Sequence, residues 1–220
     1  MRNHQLLTAG LLGTVLFAAT GCNWIEGIAY LFGPPRVQKA ELKLPPGRLA
    51  VLVETVQPEE YNPVFVTALY DKLVVIFREQ ELKPTFVPLD EVLELRRKNQ
   101  DFAKWSLQRI GRELTADFVL AISIDRLQAR EKPDMPVLDP AVQLHMKLIG
   151  PDRPANEARI WPSSTQEREG REVVVRRPTK DASHPGEVDA EMAKLARDLA
   201  FQVAGPFYDV DLEKLQLREP

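Results

Sequence analysis

Three histidines, one cysteine and a scatter of carboxylates are the residues of this 220-residue chain whose types could do chemistry. His4, His145 and His184 lie far apart, with no His-x-x-x-His spacing to set two ligands on one helix face. Glu91 and Glu94 are three apart beside Arg96 and Arg97, the pattern of a solvated helix face. Asp117 and Asp125 flank an apolar run, and Asp117 reads as a turn residue whose carboxylate bonds backbone. There is no Gly-x-Ser-x-Gly elbow, no phosphate loop and no glycine-rich turn after the first strand. The residues therefore imply no catalytic constellation, no metal and no cofactor, and the chain is expected not to be an enzyme. A hydrolase assembled from scattered Asp, Ser and His is the alternative. It requires His145 or His184 beside a carboxylate.

The cysteine stands apart. Met1–Gln5 is a polar start with one positive charge, Arg2, and Leu6–Ala19 is apolar or small throughout. A run of about 14 such residues fits a signal-peptide core and is too short to span a bilayer as a helix. Ala19-Thr20-Gly21 then precedes Cys22. Small residues before the sole cysteine resemble the bacterial lipobox, with Ala19 where that signal more often carries leucine. The resemblance implies cleavage between Gly21 and Cys22 and acylation of the Cys22 thiol (diacylglyceryl and palmitate-type chains). At about 0.8 kcal/mol per buried methylene, several chains hold a soluble domain firmly on a membrane. Asn23, rather than Asp, follows the cysteine, which by the enterobacterial sorting rule points to the outer membrane, facing the periplasm. Removing residues 1–21 takes away one positive charge and moves the net charge from −3 to −4. A mildly acidic chain has no basic field for nucleic acid.

Apolar residues at 44% and charged residues at 28% are globular proportions, enough for one core over about 200 residues. Residues 22–47 read as a lipid-anchored tether, with Trp24, Ile25, Ile28, Tyr30, Leu31 and Phe32 either at the membrane interface or packed on the domain. Arg48–Glu54 reads as a buried strand. Asn62-Pro63 starts a helix whose apolar face is Phe65, Leu69, Leu73, Ile76 and Phe77, ending near Gln80. Thr85–Val87 is a second strand, and Asp90 is expected to cap a helix to about Lys98. Phe102–Leu114 reads as a third helix and Phe118–Ile124 as a central strand. Arg126–Asp139 is a loop or a ragged strand end. Val142–Leu148 alternates cleanly, placing His145 on its polar side. Ala158–Trp161 and Glu172–Arg176 read as two further strands, and Val188–Ala204 as the last helix, stopped by Gly205-Pro206. The expected fold is α/β: one domain at 48–208, a mixed sheet of five to six strands with four helices, parallel early and a meander late. Residues 209–220 form a polar tail.

Arg48–Glu54, the helix from Asn62, the segment from Pro84 to Leu95, and above all Leu107–Asp125 carry a family resemblance. Gly111, Leu114, Ala116 and Asp117 sit where that family turns from helix into strand. The chain resembles the α/β domain of envelope lipoproteins in the curli-secretion channel family, shared with penicillin-binding-protein activators and the domain preceding the Tol propeller. The resemblance covers most of Arg48–Phe207 and implies fold rather than chemistry. No long amphipathic hairpins are present to line a barrel, so secretion-pore function does not carry over.

The remaining charge feature is Arg168, Arg171, Arg176, Arg177 and Lys180, interleaved with Glu167, Glu169, Glu172 and Asp181. Arg168, Arg171, Arg176 and Arg177, with Trp161, are the candidate partner contacts, since exposed Trp and Arg are enriched at binding hot spots. The competing readings are a solvated hairpin and a core tryptophan. Together these features predict a lipid-anchored cell-envelope binding protein acting as scaffold, assembly factor or regulator. Its partners would be the membrane through Cys22 and another envelope protein. The structural alternative is a subunit of a homo-oligomeric export or assembly apparatus.

Overall fold

The computed structural model describes residues 37–57, 61–132, 135–164, 167, 169–181, 184 and 186–211. Lys39–Val210 form one compact unit; the other unit, 1–38 with 211–220, is described only at Val37, Gln38 and Asp211. No helix among the described residues is long and apolar enough to cross a membrane.

Strand β1 (Arg48–Thr55) is a run of β-branched and aliphatic residues buried on both faces, as a central strand must be. Helix α1 (Pro63–Glu79) starts where Asn62 Oδ1 accepts from the Phe65 amide at 2.9 Å, with Pro63 in the first turn. Its buried stripe includes all five residues of the expected apolar face. Short β2 (Thr85–Phe86) pairs parallel with the start of β1. Helix α2 (Leu89–Lys98) begins two residues earlier than an Asp90 cap would give. Pro88 holds the cap position without a side-chain bond, and Asp90 instead lies in the first turn, where a carboxylate meets the positive end of the helix.

The expected third helix is two pieces. A 3-10 turn covers Phe102–Lys104, Trp105 is extended, and Ser106 caps α3 (Leu107–Glu113) by accepting from the Arg109 amide at 3.2 Å. The apolar spacing runs through both pieces, whereas the serine cap belongs only to the second. Strand β3 (Phe118–Gln128) pairs parallel with β1 and antiparallel with β5 (Ala141–Ile149). It continues past Ile124 because a bulge at Asp125 absorbs one residue and lets Arg126 resume the ladder opposite Gln143. Two-residue strands β4 (Val137–Leu138) and β8 (Lys180–Asp181) pair with each other, a contact without periodic signal.

The late strands are not a simple meander. Strands β6 (Arg159–Trp161) and β7 (Arg171–Arg176) both pair antiparallel with the same edge of β5, β6 against Leu148–Ile149 and β7 against Ala141–Met146. They are two segments of one edge strand, interrupted by the excursion 162–170. Gly170 closes it at φ +125°, where an added Cβ would lie 2.5 Å from the Met146 carbonyl oxygen. The sheet order is β2-β1-β3-β5-β6, with β7 beside β6 along β5: six strands, mixed, as expected.

Helix α1 and the last helix, α4 (Gly186–Ala204), pack together over one sheet face. Their core includes Phe65, Leu69, Leu73, Leu195 and Leu199, against Leu120, Ile122, Leu144 and Met146. On the other face a second cluster joins Val92, Phe102 and Ile110 to Leu52, Val119 and Ile149. Gly111 lies there because a Cβ would stand 2.3 Å from Pro151 Cγ and 2.7 Å from Val119 Cγ2. Close packing explains this mid-helix glycine.

The compact unit begins before Arg48. Leu44 is a core residue, Pro206 O accepts from the amides of Glu41 and Leu42, and Asp209 accepts from Lys39 Nζ and the Ala40 amide, each at 2.9 Å. Residues 39–47, read from composition as the end of a tether, and Asp209–Val210, read as tail, thus belong to the domain. The signal segment, the tether up to residue 36 and the tail from residue 212 lie outside the described residues.

Candidate functional site

Strand β1 is flanked by parallel neighbours, and its two crossovers lie on opposite faces: α1 on one, α2 and α3 on the other. Such an arrangement leaves a gap outside the carboxyl end of the middle strand, the usual ligand position in open α/β sheets. A cavity of about 700 Å³ occupies it, lined by Glu54 and Thr55 at the end of β1, Tyr61 before α1, Arg96 and Asn99 at the end of α2, and Gln100, Phe102 and Ala103. That volume lies within the usual range for small-molecule sites.

Arg96 is fixed in this crevice. Its Nη2 donates to Val53 O at 3.2 Å, and the guanidinium stands 5.3 Å over the Phe102 ring. Glu54 Oε1 lies 3.7 Å from Nη2, an ion pair too long for a hydrogen bond. The Asn99 amide donates to Leu95 O, closing the last turn of α2.

The crevice continues onto an open part of the sheet. Residues opposed in register share a face. Glu54 opposes Ser123, Ser123 opposes His145, and His145 opposes Glu172, so one polar row crosses four strands. His145 Nδ1 donates to Asp125 Oδ2 at 2.7 Å. A carboxylate only accepts, so this bond places a proton on Nδ1. Gln143 Nε2 donates to Glu172 Oε1 at 2.8 Å, and Val174 beyond it is 54% exposed. Among the described residues, no group of three or more His, Cys, Asp or Glu is placed to hold a metal.

His145 thus lies beside a carboxylate, the arrangement a hydrolase would need, with Ser123 opposite it. Among the described residues Ser123 makes no hydrogen bond to His145, so its hydroxyl is not in contact with a base. Strand β3 is also paired on both sides at Ser123, opposite Glu54 on one flank and His145 on the other. The amides paired in these ladders are not free to act as oxyanion donors. The bulge residue and the register explain why the sequence did not disclose this pair: Asp125 read as the end of a strand, and nothing in its spacing links it to His145. His184 is exposed in a loop, and its backbone amide donates to Glu187 Oε2 at 3.4 Å.

The other candidate contacts divide. Gly21, Cys22 and Arg168 lie outside the described residues. Trp161 is 4% exposed: its indole N–H donates to Glu41 Oε2 at 3.0 Å and its ring packs edge-on to Phe207, so it has no free face for a partner. Arg171 forms two parallel 3.0 Å bonds to Glu41, pairs also with Glu167, and stacks over Trp161. Burial pushes the Glu41 carboxyl up, but the bonds from Arg171 and Trp161 and the charge of Arg171 outweigh it, so Glu41 titrates below its ordinary value. Glu41 in turn holds the Arg171 guanidinium charged to higher pH. Arg177 bonds Asp198 and the buried Glu191 of α4. Arg176 alone of the described four is exposed. What read as a basic stripe is largely a set of internal ion pairs fastening β7 to its neighbours. The alternation of β7 could have warned of this, since it half-buries Arg171 and exposes Glu172.

No family model and no curated protein matches the chain. Among solved structures it is similar to the PelC dodecamer from Paraburkholderia phytofirmans, at 15% identity over 80% of this chain and 99% of that one, with a TM-score of 0.41. It is similar to lipoprotein GNA1162 from Neisseria meningitidis at 13% identity, over 70% and 99%, with a TM-score of 0.37. Protein XCC0632 from Xanthomonas campestris is similar at 14% identity, over 78% and 91%, with a TM-score of 0.41. Likeness at this level carries no functional argument, and none of the three bears the name of the curli-secretion, activator or Tol families.

Proposed function

We propose that the chain is a lipid-anchored, non-enzymatic protein of the bacterial cell envelope whose domain binds a partner or ligand as scaffold, assembly factor or regulator. The observation that carries the binding role is the crevice at the carboxyl end of β1, where the crossovers part. The sequence around Cys22 supports the location, with the acylated cysteine in the outer membrane and the domain in the periplasm. In-cell crosslinking followed by mass spectrometry, on wild type and Cys22→Ala, tests the reading. Wild type should fractionate with membranes and capture a defined envelope protein, while Cys22→Ala should become soluble and lose it. Unchanged membrane and detergent partitioning of Cys22→Ala would remove the anchor from the proposal. A discrete homo-oligomer without a foreign partner would favour the subunit of an export or assembly apparatus.

The His145–Asp125 bond favours one second reading, hydrolysis with Ser123 as nucleophile. It requires ester or amide turnover that Ser123→Ala abolishes and His145→Gln reduces by roughly two orders of magnitude or more.

A further inference from the structure

We infer that the crevice takes a small zwitterion, an ammonium and a carboxylate a few ångströms apart, as a free amino acid or an unblocked dipeptide carries them. The inference rests on reading this crevice as the binding site. Arg96 is two-thirds buried and held in place by Val53 O and the Phe102 ring before any ligand arrives. Among the described residues Val53 O is the only acceptor its side chain meets, so most of its five N–H donors are unspent. A guanidinium preorganised in this way suits the two oxygens of a carboxylate.

Glu54 supplies the opposite charge. At 3.7 Å it balances Arg96 without hydrogen-bonding to it, and its side chain, 45% exposed, lines the cavity. A simple anion would satisfy Arg96 but face Glu54, and a simple cation the reverse. A ligand bearing both charges a few ångströms apart meets both. Tyr61 adds aromatic surface for an apolar side chain, and about 700 Å³ holds an amino acid or a dipeptide.

The test is calorimetric titration of the detergent-solubilised full chain with phenylalanine, N-acetylphenylalanine, phenylalaninamide and the dipeptide Ala-Phe. Phenylalanine, Ala-Phe or both should bind, and blocking either charged end should weaken binding roughly tenfold or more, the scale of one charge-assisted hydrogen bond. Binding of phenylalanine alone identifies a free amino acid, and binding of Ala-Phe alone a peptide. Arg96→Gln should lose phenylalanine and the N-acetyl form. Glu54→Gln, at a more exposed position, should weaken phenylalanine and phenylalaninamide while sparing the N-acetyl form. Absence of binding by phenylalanine and Ala-Phe up to about 10 mM overturns the inference. So does equal binding of blocked and unblocked forms, or binding indifferent to both substitutions. Each of these results leaves the Cys22-dependent fractionation and crosslinking intact, so loss of the ligand and loss of the anchoring proposal are separate readouts.

Discussion

Glu41 ties three parts of the chain together: the lead-in segment, the edge strand through Arg171, and the core through Trp161. Its folded pKa is depressed, so its contribution is complete above the ordinary carboxylate value near about 4.3 and is lost as pH falls through the lower folded value. Glu191, lowered by the Lys194 bond against its own burial and by the charges of Lys194 and Arg177, acts in the same sense. Thermal melting should therefore weaken as pH drops below about 4. Glu41→Gln should cost about 1–2 kcal/mol at neutral pH and flatten that acid limb. Circular-dichroism melts of both forms between neutral pH and pH 3 read this, and an unchanged acid limb would show that Glu41 is not a source of it. At this scale the sequence was least legible. Charges such as Arg171 and Arg177 looked like a surface stripe because their partners, Glu41 and Asp198, lie far off in the chain. Only the register brings Asp125 to His145 and Glu54 to Ser123.

Elements were more legible than their internal breaks. Asn62 and Pro63 announce α1 because a cap and a fixed φ are local properties, and Asn62→Ala should cost about 1 kcal/mol in equilibrium unfolding. Gly111 signals close approach for the same local reason, since a mid-helix glycine costs about 1 kcal/mol relative to alanine. Gly111→Ala should nevertheless destabilise, by about 1–3 kcal/mol, because the Pro151 ring and Val119 cannot yield the space an added methyl needs. A more stable Gly111→Ala in denaturant titration would mean that α3 can lift from the sheet. The split edge strand escaped sequence reading because periodicity registers each short run and says nothing about whether two runs share a partner. The second sheet face is likewise half core and half open, and its local trace is the change from Leu52 to Glu54 along β1, from Val119 to Ser123 along β3 and from Ile149 to His145 along β5.

For the whole molecule, the order of layers follows from the order of elements, whereas the limits of the domain do not. Pro and charge in residues 39–47 resemble a linker, yet Leu44 and Glu41 are anchored in the fold. A chain starting at Arg48 should melt lower than one starting at Lys39, by roughly 6–16 °C. That follows from losing about 3–4 kcal/mol of apolar burial and hydrogen bonding in a domain of this size. Equal melting temperatures in a side-by-side thermal denaturation would return residues 39–47 to the tether. The crevice lies at the carboxyl end of β1, and the lead-in segment joins the strand at its other end, through Gly47.

The lead-in segment also has a mechanical meaning. Within the compact unit, tension applied from the N-terminal side passes the Lys39–Asp209 pair, then the Glu41–Arg171 pair, then the buried Leu44, before it reaches β1. These fastenings lie in series and yield one at a time, whereas the β1 ladders beyond them share a load in parallel. Releasing residues 39–47 pays out about 30 Å of chain while the sheet stays folded. The segment is a built-in reserve of slack, spent before force reaches the fold.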